Sequence, residues 1–446
     1  VWDARELLVS RSDPNGNATT YDYFANGLLD TEHFADGTSQ SYAYTGFLTL
    51  YKTTDAEGRI TTLTFDALGR IVQEQTVDGT KTYGHHPLGG VETESWAGGS
   101  ISRTYNSRGL VETETTTYTG IGTFVTEMDY DDRGDLVFLK YPGGRELSYA
   151  RSEIGRVTGI FEGPDTTGTQ VVAYSYLGRS RVWDRTYTAQ TSPRELQYAY
   201  DTRGRVDETN NVGIDKRTYQ WDATNNKTQR KVFDGTTLKR QYDYTYDGLN
   251  RLDASTRTIG GVAYVIDYNH DGSGNRTTVT VDGVGGSYAL EGAAGGQVHK
   301  YASTPLEGVG ETRNYDLNGN FLNVSDGTGY PVVATYTAQN QLASYYNEDR
   351  GTATTDYAYD VANRRYRTER DGETRYFVYL GDQILEEYTW DGTALTLSKS
   401  FVYGNYIDEV LQMRDHATGA DYYYHHDDMF NVVAISDSSG AVVERY

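Results

Sequence analysis

One short pattern recurs along almost the whole chain and constrains the fold more than any other feature. It is an aromatic residue, often Asp next, two variable residues, Gly or Asn, then often Arg. Phe65-Asp66-Ala67-Leu68-Gly69-Arg70 and Tyr200-Asp201-Thr202-Arg203-Gly204-Arg205 are the clearest copies. Tyr130-Asp131 with Gly134, Tyr246-Asp247 with Asn250-Arg251, Tyr315-Asp316 with Gly319, and Tyr359-Asp360 with Asn363-Arg364 repeat it. Weaker copies begin at Tyr23, Tyr44, Tyr105, Tyr174, Trp221 and Tyr336, and His85 and His270 fill the aromatic slot of two more. Tyr149 leads a copy with one extra residue before Gly155-Arg156, and Tyr288 a degenerate one ending at Gly292. From Tyr23 to His270 the anchors are 19 to 26 residues apart; the register loosens near Tyr288 and recovers at Tyr315, Tyr336 and Tyr359. A period of this size marks a stacked array in which each unit buries its apolar face only against its neighbours.

The residue types explain the pattern as a turn. Asp after the aromatic can accept backbone N–H groups two residues on, and Gly or Asn four residues after the aromatic tolerates a left-handed φ. Arg then re-enters the next strand and can pair with an Asp of a neighbouring repeat. About midway between anchors stands a second signal: Asp36-Gly37, Asp78-Gly79, Gly98-Gly99, Gly143-Gly144, Asp234-Gly235, Asp282-Gly283, Asp326-Gly327, Asp371-Gly372 and Asp391-Gly392. Asp-Gly between alternating residues predicts a type I′ hairpin with two positive φ values. Segments such as Ser41-Tyr42-Ala43-Tyr44 and Gln197-Tyr198-Ala199-Tyr200 put Tyr on every second position, hence on one face of a strand. Each repeat reads as two strands and two turns. A lone hairpin cannot bury its face, so the array is expected to be all-β, one long antiparallel sheet coiling on itself.

Composition fits. There are 41 Tyr against 12 Phe, 5 Trp and 3 Met, with 49 Gly and only 7 Pro. Tyr favours strands and buries a ring while keeping its hydroxyl wet, so thin aromatic layers replace a thick aliphatic core. At 446 residues the chain exceeds what one compact core supports. The absence of Cys excludes a disulfide framework and thiolate metal sites. The formal net charge of −23 argues against nucleic-acid partners and anionic membrane faces. No apolar run is long enough for a membrane-spanning helix, so no membrane insertion is expected. The chain opens Val1-Trp2-Asp3, with neither Met nor a signal peptide, and reads as an internal piece of a longer protein.

These repeats resemble the YD, or Rhs, family, which includes bacterial Rhs polymorphic toxins, the C component of insecticidal toxin complexes, wall-associated bacterial proteins and the animal teneurins. Tyr376 to Tyr388 and Phe401 to Val410 resemble the approach to the Rhs-associated core. Tyr422-Tyr-Tyr-His425-His426-Asp427-Asp428-Met-Phe-Asn431 with Gly440 to Tyr446 resembles its opening, Asn431 standing where the motif has Gly and being expected to take the positive φ. The resemblance implies a large hollow shell, a cocoon-like β-spiral. It assigns 1–375 to the repeat shell and 376–446 to final repeats leading into the core, with the continuation missing. The aspartyl autoprotease and variable C-terminal payload of toxin members would lie beyond Tyr446.

Other chemistry is weaker. His425-His426 with Asp427-Asp428 could suggest a metal site, but successive strand residues point to opposite faces, which favours a structural role. Asp13-Pro-Asn15-Gly-Asn17, Asp271-Gly-Ser273-Gly-Asn275 and Asp316-Leu-Asn318-Gly-Asn320 place oxygens as a calcium loop does, yet all lack its Gly at position 6 and turn chemistry explains two of them. No nucleophile elbow, P-loop or zincin motif occurs. The residues singled out (Phe65, Asp66, Gly69, Arg70, Tyr130, Asp131, Gly134, Tyr200, Asp201, Gly204, Arg205, Tyr246, Asp247, Tyr315, Asp316, Gly319, Tyr359, Asp360) are structural anchors; no catalytic, cofactor or metal site is expected. The leading expectation is a non-catalytic shell, secreted or on a bacterial cell surface, that encloses a C-terminal toxin or other cargo. The alternatives are a surface adhesion or structural protein with a cell-surface partner, and a carbohydrate-binding protein whose Tyr rows stack on glycans.

Overall fold

The computed structural model describes residues 1–290, 300–305, 312–325, 329, 331–351 and 353–446. Among these the fold is all-β: the one helical segment is a 3₁₀ turn at Glu348–Arg350. A 26-stranded sheet runs from Ser10 to Ser287, a two-stranded pair joins Ala289–Leu290 to Tyr301–Ser303, and a 13-stranded sheet runs from Thr312 to Arg445. Within each sheet a strand pairs antiparallel with its sequence neighbours, as in Leu196↔Asn211 and Tyr376↔Tyr388. The break between the long sheets falls where the repeat register loosens, after Tyr288. The sheet continues through position 376, Arg367 pairing with Tyr376.

The anchor turns follow one plan. In the Phe65 copy the Asp66 N–H donates to the Arg70 carbonyl and the Gly69 N–H to the Asp66 carbonyl (2.9 and 3.0 Å), with Gly69 at φ +79°. Asp66 Oδ1 accepts the N–H groups of Leu68 and Arg70, both at 2.9 Å. The Arg70 N–H, with burial opposing, then the Arg70 side chain and the Leu68 N–H, hold the Asp66 carboxyl below its ordinary pKa. The register slips by one residue just before each anchor aromatic: Thr64/Phe65, Ala199/Tyr200, Thr245/Tyr246, Ala358/Tyr359. A bulge raises local right-handed twist, and one at the same edge of every repeat bends the ribbon steadily in one sense.

Two side chains tie each repeat to the next. The anchor hydroxyl donates backward to the carbonyl just past the preceding anchor turn: Tyr105 to Val91 (2.7 Å), Tyr200 to Val182 (2.6 Å), Tyr246 to Lys227 (2.8 Å), Tyr359 to Leu342 (2.8 Å). Trp221 Nε1 does the same to Val206 (2.9 Å). This ladder favours Tyr over Phe in the slot, because Tyr supplies both a ring and a donor, although Phe65 fills it in one copy. Tyr130 departs from it, its hydroxyl facing Met128 Sδ at 3.6 Å. The Arg reaches forward, and here the expected pairing is corrected. Arg205, Arg251 and Arg364 pair with the Asp of their own turn, at 2.7, 2.6 and 2.7 Å. They meet the next turn through a backbone carbonyl instead, as Arg205 Nη1 does with Asp222 O (2.7 Å). A carboxylate four residues back is already in reach when the strand resumes.

Other expectations are also corrected. Of the eight described Asp-Gly or Gly-Gly pairs, only Asp282-Gly283 and Asp371-Gly372 have two positive φ values; Asp326-Gly327 lies outside the described residues. Asp36-Gly37 and Gly143-Gly144 instead close the same turn as the anchors, with one left-handed Gly each. Tyr176, not Tyr174, is the ladder residue of its repeat, donating to Val157 O (2.6 Å). Arg151, not Tyr149, fills the slot before Ser152 to Arg156, its Nε on Leu136 O (2.9 Å), so that copy has no extra residue. Phe430, not Asn431, takes the positive φ (+60°). Asn431 stands in the Arg slot, its N–H and amide donating to Asp427.

The ribbon closes on itself after about a dozen repeats. Hydrogen bonds join Asn15 to Asp271, Ala56 to Asn318, Tyr118 to Phe377 and Tyr141 to Phe401, at separations of 256, 262, 259 and 260 residues. Later contacts shorten to 224 for Arg185 with Glu409, 210 for Arg217 with Asp427 and 201 for Lys227 with Asp428. Nearer the C-terminal end the separation rises again to 246, for Gln190 with Ser436 and Arg194 with Gly440.

Candidate functional site at the seam between coils

Where the coils meet, turns of the first coil seat against the second. Early in the seam the contacts are polar. Arg59 donates to Thr337 O and Asn340 Oδ1 (both 2.9 Å), and Lys81 to Gln339 Oε1 (3.2 Å) and Asn363 Oδ1 (2.7 Å). Burial pushes the Lys81 ammonium pKa down, against the pull of Glu74.

Further on the seam becomes a core. Tyr118 and Phe124 pack with Tyr366, Tyr376 and Tyr388 of the second coil; Tyr118 lies 4.9 Å from Tyr366 and 5.7 Å from Tyr376, ring to ring, both stacked. Leu139, Tyr141, Leu147, Ile160 and Val172 then pack with Leu385, Val402, Leu411 and Tyr423. The buried charged groups of this layer are paired. Glu386, fully buried, accepts the Gly143 N–H at 3.0 Å and the Tyr388 hydroxyl at 2.7 Å; burial still raises its pKa. Arg145 bonds Glu162, Ser400 and Gln412.

The seam ends in a buried charged cluster. Arg185, 1% exposed, donates Nη1 to Glu409 Oε1 (2.5 Å) and Nη2 to His426 Nδ1 (3.2 Å). Arg217 pairs with Asp427 (3.1 Å) and Lys227 with Asp428 (2.7 Å). His425 and His426 face opposite ways, as alternation requires, yet both are fully buried because protein covers each face. His425 Nε2 meets Ser436 Oγ (2.8 Å). Burial, then Arg185, Arg194 and Arg445, pushes the His425 pKa down to about 3.

The structure distributes the predicted anchors rather than gathering them. Phe65, Tyr130, Tyr200 and Tyr246 and their turns follow one another along the first coil. Asn318, between Asp316 and Gly319, and Asn363, beside Asp360, touch the first coil, through Asp55 (2.6 Å) and Lys81. The calcium-like loops already engage their carboxylates: Asp13 accepts from Asn15 N, Asn17 N and Asn17 Nδ2, Asp271 and Asp316 are held the same way by Asn275 and Asn320, and Asp271 also accepts from Asn15 across the seam. Among the described residues no group of three or more His, Asp or Glu is placed to hold a metal ion. The residues that sequence reasoning missed are Arg185, Glu409, Arg217 and Glu386. Their partners are more than 200 residues away or defined by a turn from the other coil, and no local pattern signals such contacts.

The RHS repeat family profile matches residues 45–81. Over 203 residues the chain is 32% identical to the tRNA3(Ser)-specific nuclease WapA of Bacillus spizizenii, and 30% identical to the tRNA nuclease WapA of Bacillus subtilis. The alignments cover 45% of this chain. The chain carries repeats of the RHS, or YD, type. Its fold is similar along 100% of its length to TcdB2-TccC3-TEV (TM-score 0.75, 14% identity) and to TcdB2-TccC3 without its hypervariable C-terminal region (TM-score 0.74, 13% identity). This YD-repeat chain spans 8% of the length of those nucleases and 27% of the toxin-complex chains.

Proposed function

We propose that this YD-repeat chain is part of the wall of a hollow container that encloses a C-terminal toxin or other cargo of its own protein and keeps it inactive until delivery. The observation that carries this reading is the closed seam: two coils of one ribbon joined side by side by polar contacts, two buried hydrophobic clusters and paired buried charges. Backbone-paired strands make a wall without any cargo-specific contact, so such a wall accepts varied contents. The likeness in fold to TcdB2-TccC3, whose hypervariable C-terminal region was left out of one structure, supports it, as do relatives that are nucleases by name. The chain's own role in this reading is non-catalytic, with residues 376–446 leading into the core that closes the container, and the whole protein is secreted or displayed on a bacterial surface.

A second reading, a surface spacer or adhesion module, draws on one feature. Phe47, Leu68 and Leu88, each one residue before the left-handed position of successive anchor turns, are 93, 78 and 65% exposed. An exposed apolar row of this kind marks contact surfaces. Mass spectrometry of the complete open reading frame separates the two. The container reading predicts one complex under native conditions and two chains after denaturation, cut beyond Tyr446. A single uncut chain under both conditions removes the container and leaves the spacer.

A further inference from the structure

The end of the seam carries an arrangement that the wall does not need. Arg185 has only donors, so the His426 Nδ1 that it meets at 3.2 Å must be an unprotonated acceptor. The proton of neutral His426 then sits on Nε2, which is buried without a hydrogen-bond partner. A second proton could enter only at Nδ1, where it would break the bond and set an imidazolium against a guanidinium. His425 is in the same position from the other face of the strand. Its Nε2 meets Ser436, its Nδ1 is buried and unpartnered, and its ring packs edge-on against Tyr187, 5.4 Å between centroids.

The charged surroundings are one-sided. Arg185 comes from the strand Arg181–Thr186, Arg194 from the following turn and Arg445 from the last strand, and all three act on His425. The nearby carboxylates are already engaged: Glu409 with Arg185, and Asp427 with Arg217, which also holds Asp215 (2.8 Å). Tyr174, Tyr187 and Tyr198 complete the titratable groups around Arg185. The backbone of the same strand is pinned from the first coil, Tyr424 O by Tyr187 and His426 O by Asn211 Nδ2 (3.1 Å).

We propose that His425 and His426 form an acid-opened latch: neutral imidazoles let the strand Ala420–His426 dock on Arg185, and their protonation releases that strand and the C-terminal end of the seam. The inference concerns closure of the seam and stands whether or not anything is enclosed. The sign follows from linkage. A histidine whose pKa is depressed in the closed state binds protons more readily once open, so closure is unaffected above about pH 6.5 and weakens as pH falls below it. With a closed-state value of about 3 for His425 and an open-state value of about 6.5, opening at pH 4.5 is favoured about 100-fold over pH 7.5. His426, also pushed down by burial and by Arg185, adds in the same direction.

The test is hydrogen–deuterium exchange of peptides within 404–446 of the full chain at pH 7.5 and 4.5, corrected for intrinsic exchange. Wild type is expected to lose about 100-fold of its protection in this segment. His425→Gln with His426→Asn keeps an acceptor for Arg185 and a partner for Ser436 but cannot take the proton, and is expected to change less than about 5-fold. Wild type unchanged at pH 4.5 overturns the latch. So does a double variant that loses protection as steeply as wild type, because the acid response then does not come from the two histidines. If the double variant lacks protection at pH 7.5, His425→Gln alone takes its place, and a response to acid as steep as that of wild type overturns the proposal.

Discussion

Tyr200 and Tyr198 lie two residues apart on one strand, their rings stacked at 6.4 Å, Tyr198 buried and Tyr200 half-buried. The Tyr200 hydroxyl donates to Val182 O at 2.6 Å, closing a rung of the ladder, whereas among the described residues the Tyr198 hydroxyl has no hydrogen-bond acceptor. Replacing either by Phe leaves the ring and its packing in place. Tyr200→Phe removes a half-buried hydrogen bond and leaves the Val182 carbonyl without that donor, a net cost of about 1 kcal/mol. Tyr198→Phe removes nothing comparable and is expected to cost under about 0.5 kcal/mol. In an array whose stability is a sum of local and nearest-neighbour terms, the loss should stay local. At RT of about 0.59 kcal/mol, 1 kcal/mol is about a 5-fold rise in opening. Hydrogen exchange in Arg181–Thr186 and Val206–Asn211 should quicken by that factor in Tyr200→Phe and remain unchanged across the second coil. Equal effects from the two substitutions, or none from Tyr200→Phe, would refute the ladder as the reason for tyrosine in the slot.

Further outcomes follow from the same geometry. Leu411→Ala empties a fully buried position in the seam core and should cost about 2–5 kcal/mol, against nearly nothing for Leu68→Ala at an exposed turn, read by thermal melting of both. Leu48 is held at φ +64° where other repeats have Gly, so Leu48→Gly should relieve about 1 kcal/mol and raise the melting temperature. Gly204→Val should do the reverse: φ is +81° and its Cβ would fall 2.0 Å from the Arg181 guanidinium, so protection around that turn should drop. Arg185→Ala strands Glu409, 4% exposed, without its counter-charge and should cost about 3–5 kcal/mol, seen as lost protection in 404–446.

Much of this fold is written locally. The Asp-to-amide bonds of the anchor turns, the left-handed Gly and Asn, and the Tyr faces follow from residue types within six positions, so the sequence reveals them. Reading failed where several local solutions compete. Asp36-Gly37 could make a type I′ turn, but a longer loop with one left-handed Gly serves equally well. Tyr174 and Tyr176 are both strand tyrosines, and only the position of the turn decides which one reaches Val157. Asn431 is the better residue for a positive φ, yet the turn frame places Phe430 there at a cost of about 1–2 kcal/mol, partly offset by its stacking on Tyr406 at 4.5 Å. The seam was illegible for a different reason. Arg185 meeting Glu409 depends on the circumference of the coil, which is the accumulated bend of many repeats and is encoded at no single position.

That circumference is the central claim, and cysteine cross-linking tests it most directly, since the chain contains no Cys. Ser192→Cys with Ser439→Cys sits where the Ser192 N–H donates to the Ser439 carbonyl at 3.2 Å. Glu57→Cys with Leu317→Cys sits where the Leu317 N–H donates to Glu57 Oε1 at 2.5 Å. All four residues are exposed. A short thiol-reactive cross-linker should join both pairs within one chain rapidly and almost completely, while Ser192→Cys with Leu317→Cys stays unlinked. Failure of both matched pairs to link, with the mismatched pair behaving no differently, would contradict the stacked coils.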